Sequence, residues 1–520
     1  MAISRSVPAS AGARRRHAPA LLWVLSAGVA GTTLLPLVFV VDQVSSTGWT
    51  AARRVLGYPH VGELLVNTVE LVTIVPLLAA LLGASAAFLL ERTDIPARRC
   101  FMVLLALPLA VPEFVNGFAW VSLDSSIGGL SGAVFVSALS YYPLVMLPVV
   151  ATLRRTDTRL EEIARGQGLG SVAVFLRVTL PQLRVALLGG GLIIALHLLA
   201  EYGAFALLGF RTFTTEIYAE YQLGFDSASS AVLSLVLLGF CLLLLGAEGG
   251  LRGRAGSNAT ATPWQRHRTC LGRRTAPAVG GLSALATLAL GVPVGALVYW
   301  LVVGGSSTLP PASITGAALS TAGLGVAAAC VTTAAAIPVA LLAVRYPGRM
   351  TRLLERSTYL SRAMPGLIVA LALAFFALHY ALGLYQSTAL LVAGYAVLFF
   401  PLALIALRPS VAQASTRLED TAHSLGAGRA ATFRRVTIPL IAPGLAAAGA
   451  LVFLSSVTEL TATLVLRPTG TETLATRFWT YSRGLSYGAA APYAAVMIAL
   501  SAVPTYILVR WFDSLAETST

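Results

Sequence analysis

Apolar segments long enough to cross a bilayer recur along the whole chain, separated by short polar stretches. A transmembrane helix needs about 20 mostly apolar residues, and the pattern predicts twelve such helices in two blocks of six. The blocks lie on either side of a polar, basic stretch at 249–277. The predicted spans are 19–42, 64–91, 100–123, 130–153, 185–208, 229–248, 278–304, 316–344, 359–382, 387–407, 442–466 and 488–510.

The composition agrees with an integral membrane protein and excludes most soluble classes. Hydrophobic residues make up 57% of the 520 residues and charged residues 11%, whereas soluble domains carry about 25% charged residues. The same figures exclude a disordered chain, a fibrous protein and a small secreted protein stabilised by disulfides. The four cysteines are isolated, without the paired spacing of a metal or redox motif, and we interpret them as inert.

The net charge of +14 comes from 36 arginines and no lysine. Basic residues accumulate in the cytoplasmic segments of membrane proteins. If the N-terminus is cytoplasmic, thirty of the 36 arginines fall on the cytoplasmic side. We therefore expect both termini in the cytoplasm and no nucleic-acid partner. A Walker A loop requires lysine, so this chain cannot itself be a P-loop ATPase.

The two blocks are repeats of one another. A shift of 258 residues superposes 159–183 on 417–441 with twelve of 25 positions identical, and it brings Pro108 within one residue of Pro365, a looser match. Each copy lies between the fourth and fifth spans of its block, so both halves enter the membrane in the same orientation. The predicted organisation is an N-terminal tail at 1–18, a first half at 19–248, a linker at 249–277, a second half at 278–510 and a C-terminal tail at 511–520.

The duplicated segment is the most informative motif of the sequence. In each copy an acidic helical start leads to a Gly-x-Gly break, a second helix and a proline that sets the angle of the next span. We interpret it as a rigid, protruding elbow suited to receive force from a soluble partner. The residues expected to form the two elbows are Glu161, Glu162, Ala164, Gly168 and Pro181, and Glu419, Asp420, Ala422, Gly426 and Pro439.

The spacing within 162–181 resembles the EAA loop of ABC-importer permeases, and 420–439 repeats it. Both copies depart from the motif at its middle alanine, where Ile163 and Thr421 stand, and the second copy begins with Asp420 instead of glutamate. Over its whole length the chain is similar to the fused, two-half permeases of binding-protein-dependent ferric-iron importers. The narrower likeness to ferric-iron permeases rests on the stretches that begin at Glu201 and Glu459.

The resemblance implies an all-α membrane protein of the MetI-like permease fold, with two homologous six-helix halves around a translocation pathway. The elbows would dock on a homodimeric ABC ATPase at the cytoplasmic face of a bacterial inner membrane, and an extracytoplasmic substrate-binding protein would deliver the cargo. The chain would be a transport subunit and not an enzyme. It would bind no cofactor itself, because ATP and magnesium belong to the ATPase.

Several alternatives remain at this point. Permeases for thiamine, polyamines, sulfate and phosphonates share the architecture, so the cargo is open. An ion-driven secondary transporter also uses twelve helices in two parallel halves, but it does not account for the duplicated elbow. A membrane-embedded enzyme would require a constellation of histidine, cysteine and acidic residues in matching spans, which the sequence does not offer.

Three acidic residues within or near predicted spans are candidates for the substrate pathway: Glu113, Glu201 and Glu459. An ionisable residue in a span is costly and is a functional candidate, and ferric iron prefers oxygen ligands. Alternatively these residues satisfy backbone groups at helix breaks, as Glu113 and Asn116 would after two prolines. His197, one turn before Glu201, is not duplicated, so we interpret it as a hydrogen-bonded structural residue and assign no metal site.

Four arginines follow the two fifth spans, in segments expected to face outward. The resemblance implies that these segments receive a binding protein, whose lobes often present acidic residues in this superfamily. Solvated loop charge is the alternative. The four residues are Arg211, Arg467, Arg477 and Arg483.

Overall fold

The computed structural model describes residues 18–156, 159–224, 227–254, 270–304 and 311–517, and every regular element within these ranges is a helix. The all-α membrane fold expected from the apolar pattern is confirmed. In the described part of the chain, nine helices are long and apolar enough to span a bilayer. The number rises to eleven if each of two pairs of sharply bent helices counts as one span.

Thirteen α-helices lie in the described residues of the first repeat. They are α1 Ala20–Thr47, α2 Trp49–Leu56, α3 Pro59–Arg92, α4 Arg98–Ala106, α5 Glu113–Leu123, α6 Gly129–Tyr141, α7 Pro143–Arg155, α8 Arg159–Gly166, α9 Ser171–Val174, α10 Leu180–Ala200, α11 Gly203–Leu207, α12 Phe213–Ala219 and α13 Ser227–Arg254.

The part of the second repeat that the structure describes contains twelve α-helices. They are α14 Thr275–Ala286, α15 Val292–Val303, α16 Pro311–Arg345, α17 Arg349–Tyr359, α18 Gly366–Tyr380, α19 Thr388–Gln413, α20 Thr416–Ser424, α21 Arg429–Thr432, α22 Ile438–Val457, α23 Thr461–Leu466, α24 Leu474–Arg483 and α25 Tyr487–Glu517.

Two of the predicted spans are too long at their C-terminal ends. The spans predicted at 185–208 and 442–466 end at Ala200 and Val457, because the backbone leaves the helix there and starts the short helices α11 and α23. The span predicted at 488–510 lies within α25. The apolar pattern alone does not reveal these breaks, since the residues after them are also apolar.

The third span of each half bends where a proline begins its second helix. The angle between the two helices is 93° in the first half and 104° in the second. Pro112 and Pro365 occupy the position just before α5 and α18, with ψ of 141° and 146°. Proline has no N–H to donate and its fixed φ suits a helix start. The pairing of Pro108 with Pro365 is therefore wrong, because Pro112 is the structural equivalent.

The first helix of each half packs against the other half. Helix α1 lies against α16 and α18, and its Val40 belongs to a core with Ala340 and Ile368. Helix α14 lies against α4, and its Leu282 belongs to the first-half core that contains Leu105. Helices within a bilayer associate mainly through van der Waals packing of their side chains, because lipid tails are as apolar as the side chains themselves. These contacts of α1 and α14 with the opposite half hold the two halves together.

Candidate functional site: two elbows and an acidic centre

The duplicated segment folds into the same elbow in both halves. Gly168 and Gly426 follow the first elbow helices α8 and α20 with φ of 84° and 86°, a left-handed conformation that favours glycine. In each elbow the next amide reaches back into the helix, to the carbonyl of Ala164 at 3.1 Å and of Ala422 at 3.0 Å. This is the Schellman type of helix end. The two glycines thus fix the sharp turn that the sequence pattern predicts.

A buried ion pair fixes the second elbow to the rest of its half. The guanidinium of Arg345, at the end of α16, donates to both carboxylate oxygens of Glu419 at 2.7 and 2.8 Å. The Thr437 hydroxyl donates to the same carboxylate at 2.5 Å. The side chains of the pair are 17% and 14% exposed, so water screens the contact only weakly. Glu419 therefore braces the elbow from inside.

The first elbow is braced by the equivalent residues. Arg92, at the end of α3, lies 3.3 Å from Glu161, and the Thr179 hydroxyl donates to Glu161 at 3.1 Å. Both charged side chains are 8% exposed. Arg165, one turn along α8, approaches the other carboxylate oxygen at 3.8 Å. In both halves the first acidic residue of the motif thus points inward, towards the second long helix.

The remaining elbow residues differ in exposure. Glu162 and Asp420, the acidic residues at the first position of the EAA pattern, are exposed, while Ala164 is buried and Ala422 half-buried. Pro181 and Pro439 are exposed at the first turns of α10 and α22.

Each elbow also exposes leucine. Leu160 is 51% exposed and Leu418 is 50% exposed. The sequence analysis did not single out this pair, although the two leucines are among the identical positions of the repeat. The elbows therefore present an apolar side chain at matching places.

Glu201 and Glu459 occupy the same position at the break after the fifth long helix of each half. Each carboxylate accepts a hydrogen bond at 2.8 Å from the backbone amide three residues later, that of Ala204 or Ala462. Each glutamate therefore satisfies an unpaired amide at the start of a short helix, the alternative role considered from the sequence. The two helix breaks lie against each other, since an added Cβ on Gly203 would lie 2.9 Å from Cδ2 of Leu460.

Glu113 adds a third carboxylate, from the first half alone. It is the first residue of α5, is 6% exposed and interacts electrostatically with Glu201. Its equivalent after the second bend is Gly366, where an added Cβ would lie 3.1 Å from Oε1 of Glu459. The acidic centre, which we define as Glu113, Glu201 and Glu459, is thus asymmetric.

An apolar layer closes the contact between the halves beside the acidic centre. The rings of Phe114 and Phe478 lie 5.5 Å apart, and those of Tyr202 and Trp479 lie 5.3 Å apart. Gly203, the residue after Tyr202, leaves no room for a side chain, since an added Cβ would lie 2.8 Å from Cβ of Phe114. Aromatic pairs pack favourably with ring centroids about 4.5–7 Å apart, so both pairs are in direct contact. We call this set the aromatic layer.

The histidine of the fifth span has the structural role expected. Nδ1 of His197 lies 2.8 Å from the Ile193 carbonyl, and the Tyr141 ring lies 5.4 Å away. Among the described residues, no group of three or more histidine, cysteine and acidic residues is arranged to hold a metal ion.

The four arginines that we expect to face outward differ in their surroundings. Arg211 is exposed and lies 3.1 Å from Glu216. Arg483 is exposed and lies over the Trp479 ring, 5.7 Å from its centroid. Arg467 and Arg477 are half-buried.

Arg477 is also held by an ion pair with Glu472. Of the four, Arg483 is therefore placed best for contact with a partner, and Arg477 contributes mainly to the local fold.

Two helical halves in parallel orientation, each with a broken fifth span and an elbow before it, define a membrane permease by fold and repeat. The chain belongs to the family described as the binding-protein-dependent transport system inner membrane component, whose model matches residues 79–252 and again residues 333–517. The duplication inferred from the sequence is thereby confirmed.

Comparison with known proteins gives the same class. The chain is 37% identical over 489 residues to the Fe(3+)-transport system permease protein FbpB 2 of Haemophilus influenzae, covering 92% of this chain and 95% of the relative. It is 27% identical to the sulfate transport system permease protein CysT of Salmonella typhimurium, over 43% of this chain and 88% of the relative. It is 24% identical to the molybdate/tungstate transport system permease protein WtpB of Thermococcus kodakarensis, over 36% of this chain and 78% of the relative.

Proposed function

We propose that this chain is the permease subunit of an ATP-driven importer that carries ferric iron across the inner membrane of a bacterium. The observation that supports the importer class best is the duplicated elbow, with its paired left-handed glycines and its paired internal braces. A homodimeric ATPase has two equivalent surfaces, and two equivalent elbows suit such a partner. The ATPase would bind ATP and magnesium, and this chain would bind neither.

The distribution of arginine supports the orientation. Thirty of the 36 arginines lie on one side if the termini and the elbows are cytoplasmic, as the positive-inside rule requires. The outward segments then carry Arg211, Arg467, Arg477 and Arg483, and they would receive the substrate-binding protein. Exposed Arg483 and Arg211 are the best candidates for contact with acidic side chains of that partner.

The chemistry of the acidic centre supports a cationic cargo. Three carboxylates near the contact between the halves repel sulfate, molybdate or phosphonate and attract a metal ion. Ferric iron is a hard cation that favours oxygen ligands. Thiamine and polyamines are also cationic, and the long relative named for Fe(3+) transport favours iron over them.

The proposed mechanism follows from how the elbows are attached. Closure of the ATPase dimer on ATP would push the elbows together. Because Glu161 and Glu419 are braced against the ends of α3 and α16, the push would reach the second span of each half and separate the aromatic layer. Cargo would then enter towards the acidic centre, and hydrolysis would reset the halves by a rocking motion.

The test is uptake of radiolabelled ferric iron into proteoliposomes that contain the permease with its ATPase, with the binding protein added outside. We expect uptake that requires both the binding protein and internal ATP. Binding-protein-stimulated ATP hydrolysis without iron uptake would leave the importer class and refute the cargo. Uptake driven by an ion gradient without ATP would refute the importer class itself.

A further inference from the structure

We propose that Glu113 and Asn116 form an oxygen-donor site for a bare, hard metal cation in the first half, an inference that rests on the proposed function. The two residues lie one turn apart on α5, directly after the bend at Pro112. Glu113 is 6% exposed and Asn116 is 2% exposed. Each is held by a serine of α6, and each keeps one oxygen without a hydrogen-bond partner.

The free oxygen of Asn116 is fixed by the surrounding hydrogen bonds. The Ser140 hydroxyl donates its only proton to the Val136 carbonyl at 2.9 Å. It can therefore only accept from Asn116, and the amide nitrogen Nδ2 lies 2.5 Å from it. This arrangement turns Oδ1 away from Ser140, and Oδ1 has no partner. The orientation of the amide thus follows from the donors and acceptors available.

Glu113 is held in the same way, one turn earlier. The Ser137 hydroxyl donates to Oε1 at 2.5 Å and the Tyr141 hydroxyl also approaches the carboxyl group, while Oε2 makes no hydrogen bond of normal geometry. Ser137 and Ser140 are themselves one turn apart on α6. Two serines therefore orient two buried side chains so that each keeps one oxygen unpaired. An unpaired buried polar atom costs about 1–3 kcal/mol, so this arrangement needs an explanation beyond stability.

The second half shows that the bend itself does not need these polar residues. Its third span bends by 104°, close to the 93° of the first. At the positions that correspond to Glu113 and Asn116 it has Gly366 and the fully buried Val369. An apolar pair therefore suffices to build the same bend. The carboxylate and amide oxygens of the first half are an addition that the fold does not require.

The donor set identifies the class of ligand. Carboxylate and amide oxygens are ligands of hard cations, and Glu201, which interacts with Glu113, brings a further carboxylate to the same region. Glu113 and Asn116 are 6% and 2% exposed, and carboxylates repel an anionic chelate, so the site favours a bare cation over a bulky anionic complex. We therefore infer that iron passes this point as the bare ion, bound transiently by Glu113, Asn116 and one or more acidic neighbours.

The direct test uses Tb³⁺, a hard trivalent luminescent ion, with the full chain in lipid nanodiscs. We expect saturable luminescence in the wild type, and an affinity that is weaker by about tenfold or more in Glu113→Gln and in Asn116→Leu. Even an outer-shell partner of a metal ligand costs about 10–100-fold in affinity. Asn116→Asp should bind Tb³⁺ more tightly than the wild type, a gain that a misfolded variant cannot produce.

Glu70→Gln is the matched control, because it removes a carboxylate from the same half at an exposed position of α3. It should bind Tb³⁺ like the wild type. Equal Tb³⁺ affinity in the wild type, Glu113→Gln and Asn116→Asp would overturn the site.

Iron uptake by the same variants separates this inference from the proposed function. We expect Glu113→Gln to lower ferric uptake by about tenfold while the binding protein still stimulates ATP hydrolysis. If the wild type takes up iron and Glu113→Gln takes it up equally, the inference is wrong and the proposed function stands. If the wild type takes up no iron but the Tb³⁺ differences persist, the cargo assignment is wrong and a cation site remains.

Discussion

Arg345 and Glu419 form a two-hydrogen-bond ion pair, at 2.7 and 2.8 Å, that joins the end of α16 to the elbow helix α20. Arg92 and Glu161 make the equivalent contact in the first half at 3.3 Å. The two glutamates are 258 residues apart in the chain, whereas the two arginines are 253 residues apart. The elbow helix and the long helix that carries the arginine are therefore related to their copies in the other half by different sequence offsets. The same ion pair nevertheless forms in both halves.

Removing one charge of the Arg345–Glu419 pair should destabilise the second elbow. Arg345→Gln leaves Glu419 largely buried without its partner, which costs about 3 kcal/mol locally. We expect faster amide hydrogen exchange across 416–432 and fewer iron ions moved per ATP hydrolysed. Glu419→Gln should have a similar effect, because it leaves Arg345 without its partner.

Removing both charges should harm the elbow less than removing either one. The double variant Arg345→Gln with Glu419→Gln leaves no buried unpaired charge, so the two effects should not add. Arg349→Gln, at an exposed arginine of α17, is the control and should exchange like the wild type. Strictly additive effects in the double variant would mean that the pair does not act as a brace.

Proline in place of the left-handed glycines should uncouple transport from ATP hydrolysis. Proline holds φ near about −65°, whereas Gly168 and Gly426 have φ of 84° and 86°. Gly168→Pro with Gly426→Pro should therefore abolish the turn in both elbows. We expect ATP hydrolysis to continue while binding-protein-dependent uptake is lost.

Gly428→Pro is the matched control for this prediction. Gly428 lies two residues after Gly426 with φ of −67°, a value that proline adopts without strain. Uptake by the Gly428→Pro variant should stay within about twofold of the wild type, since a compatible proline changes stability by less than about 1 kcal/mol. Full transport by the double variant at the left-handed positions would show that the turn is not needed for coupling.

The sequence predicted the elements that depend on local composition. Span positions follow from apolar runs, and the turns at Gly168 and Gly426 follow from the glycines themselves. The register of the third spans could not be predicted in this way. Pro108 and Pro112 both lie in the first bend, and only the three-dimensional bend shows that Pro112 corresponds to Pro365.

The site was predicted less completely than the fold. Glu201 and Glu459 were found because the repeat pairs them, and the structure adds their hydrogen bonds to the backbone. The partners of Glu161 and Glu419 were missed, because Arg92 and Arg345 are remote in sequence and do not share the offset of the motif. Long-range ion pairs of this kind leave no periodic signal.

Glu201 and Glu459 can each act in two ways, as an acceptor at the start of a short helix and as a negative charge near the cargo. Two substitutions separate these roles. Glu201→Gln keeps an oxygen that accepts from the Ala204 amide, but removes the charge. Glu201→Leu removes both. If charge attracts the cargo, Glu201→Gln and Glu459→Gln should each lower ferric uptake severalfold with normal thermal stability.

Comparison of the two substitutions then assigns the role. Glu201→Leu should also lower the thermal stability, because the loss of a helix-start acceptor costs about 0.5–2 kcal/mol. Normal iron uptake by Glu201→Gln together with Glu459→Gln would show that these residues only cap their short helices. In that case the acidic centre would have no role in transport.

The last prediction concerns the four arginines proposed to face outward, which the structure divides into two exposed and two half-buried residues. Arg483→Glu reverses an exposed charge, and Arg211→Glu reverses another. Exposed charges at the rim of an interface act mainly on the association rate and on its salt dependence. Both variants should therefore need several times more binding protein for half-maximal stimulation of ATP hydrolysis, and the difference should shrink as salt is raised.

Arg477→Gln serves as the comparison, because this half-buried arginine is paired with Glu472. Its loss should lower thermal stability while the concentration of binding protein needed for stimulation changes little. Should Arg483→Glu and Arg211→Glu respond to the binding protein like the wild type at low salt, these arginines are solvated loop charges. The partner would then have to recognise the segment around Arg467, the remaining arginine of the set, or the uncharged surface of α24.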